Sequence, residues 1–296
     1  MRRILLVVNP FATSVTPDRL RAVETQLARA GEVVTELTRG PDHATDLCRA
    51  AGPVDAVVVF SGDGVYNEAL NGLEGCSIGF VPGGGTSVLP RALGIPRDPE
   101  QAAALIADAI EAGRTRRISL GRVNGRRFSF SAGIGFDAEG VRRLDALGRD
   151  EHGQRPGDLA FLLTVARMLA ERRGRYAPQL EIEGHGRAAI VFVANGDPYT
   201  FAGRIPLRVA PLASFEGGLD LVAPREVRPR SLVRLVRYVL SGRGQIEAED
   251  VLYLHDLDRV VVRCDRPLPL QADGEDLGDV EEAVFEAERD AVSVLV

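Results

Sequence analysis

Hydrophobic and polar positions follow two regimes along this chain. As far as about residue 113, short apolar runs alternate with stretches whose apolar residues fall three and four apart. Ile4 to Val8, Val33 to Leu37, Val57 to Phe60 and Ser77 to Val81 are runs of the first kind. Bounded by turn residues and rich in β-branched side chains, they predict strands, and the continuous ones predict burial on both faces. Leu20, Val23 and Leu27, then Ala103, Leu105, Ile106 and Ile110, fall at helical spacing. Thr16-Pro17-Asp18, Asp42 to Asp46 and Asp98-Pro99-Glu100 read as helix starts, with Gly31 and Gly113 as stops. Beyond Gly113 the character changes. Arg117 to Phe130 reads as two alternating strands around an Asn124-Gly125 hairpin turn. Short strands and turns follow to about Asp290, interrupted by a helical stretch from Val141 to Arg173. The pattern predicts an α/β domain over 1–113 and a β-rich, β-sandwich-like domain over 114–290, with 291–296 returning to the first.

Candidate chemistry begins where the third strand breaks. Ser61-Gly62-Asp63-Gly64 separates Val57 to Phe60 from a helix-compatible segment. Glycines there let main-chain N–H groups approach a phosphate, and the helix start adds unpaired donors and the positive end of a dipole. Asp63 between them would repel phosphate unless Mg²⁺ intervenes or a substrate hydroxyl donates to it, which suggests phosphoryl transfer. An ordinary strand-to-helix turn with an Asp cap fits those four residues equally well. A second cluster, Pro82-Gly83-Gly84-Gly85-Thr86, follows the next strand. Two adjacent parallel strands put both loops at the carboxyl edge of the sheet, where α/β folds bind ligands. Three consecutive glycines cost chain entropy unless bare backbone is needed, and the pair of loops predicts a nucleotide.

Composition removes several rivals. The 296 residues contain no lysine, so all 36 basic side chains counted as Lys+Arg are arginine. A Walker A site, a protein-kinase strand lysine and Schiff-base chemistry are thereby excluded. A formal net charge of −6 argues against nucleic acid as a partner. Cys48, Cys76 and Cys264 are scattered, as are the four histidines, and neither set has metal-ligand spacing. They read as free thiols in a reducing cytosol, His43 as structural, and His152 and His185 as surface residues. Ile4 to Val8 ends at Asn9-Pro10 without a cleavage signal, so it reads as a strand rather than a secretory leader. No run reaches the length of a membrane span, and the expected location is the cytoplasm, including the inner face of the membrane. Leu159 to Leu169 and Leu232 to Leu240 are amphipathic and end near arginines. Such helices more often cover a core, and they also suit an anionic interface.

Ser61-Gly62-Asp63-Gly64-Val65-Tyr66-Asn67-Glu68-Ala69-Leu70-Asn71-Gly72-Leu73 resembles the G/S-G-D-G-T-x-x-E-x-x-N-G-L signature of diacylglycerol kinases, sphingosine kinases and bacterial lipid kinases. Pro82 to Arg91 is similar to that family's P-x-G-T-x-N-D-x-A-R. Asn9-Pro10, Thr38, His43-Ala44, Ala132 to Ala138, Glu216 to Asp220 and Gln271 to Glu275 match further segments in order. The resemblance implies a Rossmann-like, NAD kinase-like α/β domain, a β-sandwich-like second domain and an active site in the cleft between them. It implies an ATP- and Mg²⁺-dependent kinase acting on a hydroxyl of diacylglycerol or a sphingosine-like lipid at a membrane surface. Whether it forms a homodimer is left open. Nucleotide contacts would come from Asn9, Thr13, Thr38, Ser61, Gly62, Gly64, Asn67, Glu68, Gly83, Gly84, Gly85 and Thr86. Asp137 would face the lipid head group, or cap the helix after it. By resemblance to bacterial diacylglycerol kinases Glu275 would be the proton acceptor, and by resemblance to sphingosine kinases Asp63 would be. The assignment favoured is Glu275 as base, Asp63 as metal and phosphate organiser, and Asp273 beside Glu275 orienting Mg²⁺ through water. Glu216 and Asp220 would hold a structural Mg²⁺, with glutamate in place of the family's first aspartate. Val65 replaces a threonine, Ser87 an asparagine and Val88 an aspartate, and Gly85 stands where the family has threonine, with Thr86 one place later. A soluble-substrate kinase related to NAD kinases and a non-catalytic lipid-binding relative are the alternatives.

Overall fold

The computed structural model describes residues 2–148 and 158–296, so His152 lies outside the described residues. By internal contacts the chain divides into two units, Met1–Ile118 with Asp290–Val296, and Ser119–Arg289.

The first unit is built from β1 (Arg3–Val8), α1 (Pro17–Leu27), β2 (Glu32–Leu37), α2 (His43–Ala50), β3 (Ala56–Ser61), α3 (Asp63–Gly72), β4 (Ser77–Pro82), α4 (Val88–Ala92) and α5 (Pro99–Ala112). Its strands run parallel in the order β2-β1-β3-β4. All six residues of β3 are buried, as a continuous apolar run requires of a strand covered on both faces. β2, at the edge, buries none of its residues fully. A Cβ on Gly79 of β4 would lie 2.9 Å from Cγ2 of Ile106, so glycine lets α5 settle on the strand. Thr16 caps α1 by accepting from the Arg19 amide, and Asp98 caps α5 by accepting from the Gln101 amide.

Two expectations at helix ends are corrected. α1 is capped at Ala28, before Gly31, whose Cβ would stand 2.4 Å from the Arg2 carbonyl; that glycine serves entry into β2. Asp42 precedes α2 in the left-handed region at φ 60° and makes no side-chain cap bond. The Ala44 amide donates instead to Glu68 Oε2 at 3.1 Å. His43 accepts from the Arg39 amide through Nδ1, a structural contact. Cys48, Cys76 and Cys264 are free, and burial pushes the Cys48 thiol up to about 12.

The second unit comprises β5 (Arg116–Val123, which begins in the first), β6 (Arg126–Phe128), β7 (Ser131–Ile134), α6 (Phe136–Ala146), α7 (Asp158–Glu171), β8 (Leu180–Ile182), β9 (Gly186–Ala188), β10 (Val191–Ala194), β11 (Thr200–Ala202), β12 (Ile205–Leu207), β13 (Leu219–Pro224), α8 (Pro229–Ser241), β14 (Val251–Leu257), β15 (Arg259–Ala272) and β16 (Glu275–Val294). Strands pair in the order β14-β13-β10-β7-β15-β16, with β8–β9 and β5–β6 as added hairpins and β11–β12 separate. Asn124 at φ 49° and Gly125 at φ 87° turn the β5–β6 hairpin, the geometry that two-residue turns of the right twist demand. Phe128, Leu180, Val193, Leu221, Val262 and Phe285 belong to one buried cluster at its centre. β15 and β16, at 14 and 20 residues, are far longer than the short strands expected. Charges at many positions of β16 hide the alternation that would have shown it. Its end re-enters the first unit, where Val294 pairs parallel with Ile78.

Candidate active site

Register brings the glycine loops together. Val8 aligns with Leu37 and Phe60, Phe60 with Val81, and Ser61 with Pro82. The chain therefore leaves the sheet at Asn9, Thr38, Gly62 and Gly83 along one carboxyl edge. The loops then bind each other. The Ser14 amide donates to the Gly83 carbonyl at 2.8 Å, and the Gly83 amide to the Ser61 carbonyl at 2.6 Å. A Cβ on Gly84 would come within 2.7 Å of Gly62 Cα, and one on Gly83 within 3.0 Å of the Ser61 backbone. These glycines are required by the contact between the two loops, and the Gly83 N–H is already spent. Gly85 is different. It is exposed, and its Cβ would meet nothing within 4 Å. Among the described residues, the amides of Gly84, Gly85 and Thr86 find no internal acceptor.

Asp63 fastens the arrangement. Its two carboxylate oxygens accept from the Val88 and Leu89 amides at 3.0 and 3.2 Å, so the first glycine loop caps the short helix that follows the second. Val88, where the resemblance expects aspartate, is 3 % exposed and packs inward. Ser87 takes the left-handed region at φ 48°, which asparagine tolerates better than serine; its Oγ bonds the Gly84 carbonyl at 3.3 Å. Beneath both loops lies Tyr66, fully buried, its hydroxyl 2.6 Å from the Ser61 carbonyl and 2.8 Å from that of Val81. Burial, then the nearby Asp63 charge, holds its phenol well above the usual range, so it stays a donor. Sequence reasoning gave this tyrosine no role; an aromatic in the first turn after a glycine loop was the available signal.

The other predicted nucleotide contacts separate into two groups. Asn9 uses Oδ1 to accept from the Phe11 amide at 3.0 Å, while Thr13 is exposed. Thr38 lines an open depression of about 490 Å³ with Pro10, Phe11 and Arg39. Ser61, Asn67 and Glu68 instead lie within the unit. Glu68 holds α2, through Ala44 and through Thr45 Oγ1 on its carbonyl, and Asn67 bonds Asn71. Ser61 Oγ is buried without a partner among the described residues.

In the second unit the acids around the β15–β16 turn have distinct tasks. Asp273, 4 % exposed, accepts from the Ser129, Phe130 and Ser131 amides at 2.6, 3.0 and 3.2 Å and from Ser129 Oγ at 2.9 Å. Four donors meet on one buried carboxylate, so Asp273 ties the 129–131 segment to the turn. Glu275 is partly exposed, and Arg126 Nη2 reaches its Oε2 at 2.7 Å. Arg142 grips Asp276 and Asp279, which holds the Asp276 carboxyl below the usual carboxylate range and steadies the same turn.

Asp137, at the start of α6, connects to that turn. Its Oδ2 accepts from Tyr199 at 2.7 Å and from Gln271 Nε2 at 2.5 Å, and Gln271 Oε1 accepts from the Gly274 amide at 2.9 Å. Neither Tyr199 nor Gln271 had been assigned a role. Burial pushes the Asp137 carboxyl above its ordinary value, against the two hydrogen bonds, which lower it. An acid with a raised folded value holds its proton more tightly folded than unfolded. Its folded state therefore loses stability as pH rises through the ordinary and then the raised value. Asp137→Asn removes that loss. Its melting temperature is expected to exceed that of the wild type by a margin that grows as pH rises above the ordinary carboxylate range and then levels off, in scanning calorimetry.

The expected structural Mg²⁺ site does not fit. Asp220 is fully buried, and it accepts from Tyr253 at 2.7 Å and the Asp256 amide at 3.1 Å, with His255 Nδ1 at 2.7 Å. Glu216 is exposed and accepts from Ser214. Among the described residues no group of three acidic, histidine or cysteine side chains could hold a metal. A guanidinium supplies positive charge beside this loop. Arg289 meets Asp258 at 2.7 Å and Asp256 at 3.0 Å, while Asp256 accepts from the Gly218 amide at 2.7 Å. EDTA is accordingly expected to leave the melting temperature unchanged; a clear fall with EDTA would restore the metal.

Comparison with known proteins sets this geometry in a family. Residues 3–123 match the family model described as the diacylglycerol kinase catalytic domain, and residues 131–296 match the YegS C-terminal NAD kinase beta sandwich-like domain. The chain belongs to the diacylglycerol kinase-like lipid kinase family. As a member of that lipid kinase family it is 28 % identical over 299 residues to a diacylglycerol kinase of Bacillus subtilis strain 168, spanning 93 % of this chain and 90 % of that one. It is 30 % identical over 241 residues to a diacylglycerol kinase of Mycobacterium tuberculosis strain H37Rv, spanning 76 % and 74 %. A crystal structure of a diacylglycerol kinase from Bacillus anthracis strain Sterne aligns at a TM-score of 0.72 over 99 % of this chain and 96 % of that one. At 20 % identity that likeness speaks for the fold alone, which is the expected α/β domain followed by a β-sandwich-like one.

Proposed function

We propose that this lipid kinase relative transfers the γ-phosphoryl group of ATP to a hydroxyl of diacylglycerol or a sphingosine-like lipid. The observation that carries the donor half is the run of three unspent amides, Gly84 to Thr86, at the carboxyl edge of a parallel sheet. Such donors suit phosphate oxygens, and no other described residue accepts from them. Asn9, Thr13 and Thr38 lie on the neighbouring loops of that edge and complete the nucleotide site. Mg²⁺ takes one or two carboxylates and fills its shell with waters and phosphate oxygens, so Asp63 would hold it through the second lone pairs of the oxygens that accept from the Val88 and Leu89 amides. When bound it neutralises phosphate charge. In the second unit, Glu275 accepts the proton of the attacking hydroxyl while Arg126 orients its carboxylate, and Asp273 fixes the 129–131 segment beside the turn. The Asp137–Tyr199–Gln271 group supplies polar contacts for the acceptor head group.

Titration calorimetry with Mg·ATP tests the donor site. Wild type is expected to bind, and Gly85→Val to bind at least tenfold more weakly with an unchanged melting temperature, because the added carbons enter space the fold leaves open. Equal binding by the two proteins would remove this loop from the nucleotide site.

A further inference from the structure

α8 presents two apolar faces, and the fold uses one of them. Leu232, Leu235 and Val239 pack against buried clusters of the second unit. Val233, Val236 and Leu240 point outward at 80 %, 51 % and 50 % exposure. At spacings of three and four residues they form one stripe along the helix. Single exposed apolar residues are ordinary, but a stripe of three on one helix face is a patch. Arg230, Arg234 and Arg237 lie beside this stripe, Arg243 follows the helix, and no acidic residue occurs from Pro229 to Ser241. Arg234 pairs with Asp250, whereas among the described residues neither Arg230 nor Arg237 makes a salt bridge. The local charge runs against the −6 of the whole chain. On the neighbouring β11–β12 hairpin, Ile205 is 55 % exposed next to Arg204, and the hairpin is tied to α8 by the Arg208 amide on the Val239 carbonyl.

We infer that the outer face of α8, with the tip of the β11–β12 hairpin, docks the chain on an anionic lipid bilayer. An apolar stripe beside a row of guanidinium groups matches the layering of such a surface, where acyl chains lie just beneath phosphate charge. No helix of the described residues is long and apolar enough to cross a membrane, so α8 lies in the interface plane. Docking requires neither nucleotide nor acceptor, and it stands or falls apart from the proposed reaction.

Co-sedimentation of the full chain with vesicles, without ATP, tests it. Wild type is expected to bind mixed phosphatidylcholine and phosphatidylglycerol vesicles and to leave pure phosphatidylcholine in the supernatant, with binding lost in high salt. Each arginine near an anionic surface is worth about fivefold in partitioning, so Arg230→Glu with Arg237→Glu lowers it more than about twentyfold. Val233→Asp with Leu240→Asp lowers it at least tenfold. All four side chains point to solvent, so melting temperatures stay unchanged. Equal binding by wild type and both double variants would overturn the inference, as would no binding at all. So would a concentration-dependent dimer that the Val233→Asp, Leu240→Asp protein no longer forms, since the face would then belong to a second copy.

Discussion

Glu275→Gln is expected to lower the rate of phosphoryl transfer by about two to four orders of magnitude, the range that a positioned general base supplies. The amide keeps the shape of the carboxylate and loses its capacity to take a proton. Because Glu275 is partly exposed and its contact with Arg126 lies near the surface, stability changes little. Mg·ATP binding is expected to be unaffected, since Glu275 is not among the proposed nucleotide contacts. A variant with wild-type turnover would dismiss Glu275 as base. A large loss in Asp63→Asn alongside it would then move that role to Asp63.

The second large effect is on stability. Asp273→Ala is expected to cost about 3–5 kcal/mol, because it strands three buried amides and a buried hydroxyl. For a unit of this size that corresponds to a fall of roughly 10 °C in melting temperature. Asp273→Asn retains one acceptor oxygen and lies between. A purely catalytic Asp273 would give the opposite pattern, a dead enzyme with an unmoved transition.

The difference between these two neighbouring acids shows what a sequence can convey. Both stand in Gln271-Ala272-Asp273-Gly274-Glu275, and both read as chemistry. Only the fold separates them, because the donors for Asp273 come from residues more than a hundred positions earlier in the chain. The parallel strands and their glycine loops were legible, since each rests on a local run of β-branched residues ending in glycine. The reason for the glycines was only half legible. Gly62, Gly83 and Gly84 answer to each other across two loops, whereas Gly85 faces open space. Glu68 and Asn67 matched the family motif and lie inside the unit, where the motif holds α2 as well as the loop. Tyr199 and Arg289 gave no signal, and Gln271 none beyond its place in the matched segment, because Tyr199 and Arg289 meet partners assembled by strand pairing distant in sequence.

The most direct test of the lipid kinase reading is transfer from γ-labelled ATP with Mg²⁺ in the presence of vesicles carrying diacylglycerol or a sphingoid base, with NAD as a soluble acceptor in a parallel reaction. The account predicts label in a phosphorylated lipid, and none there with Glu275→Gln. Label in the soluble acceptor, or no transfer to any acceptor from a protein that binds ATP, would contradict it.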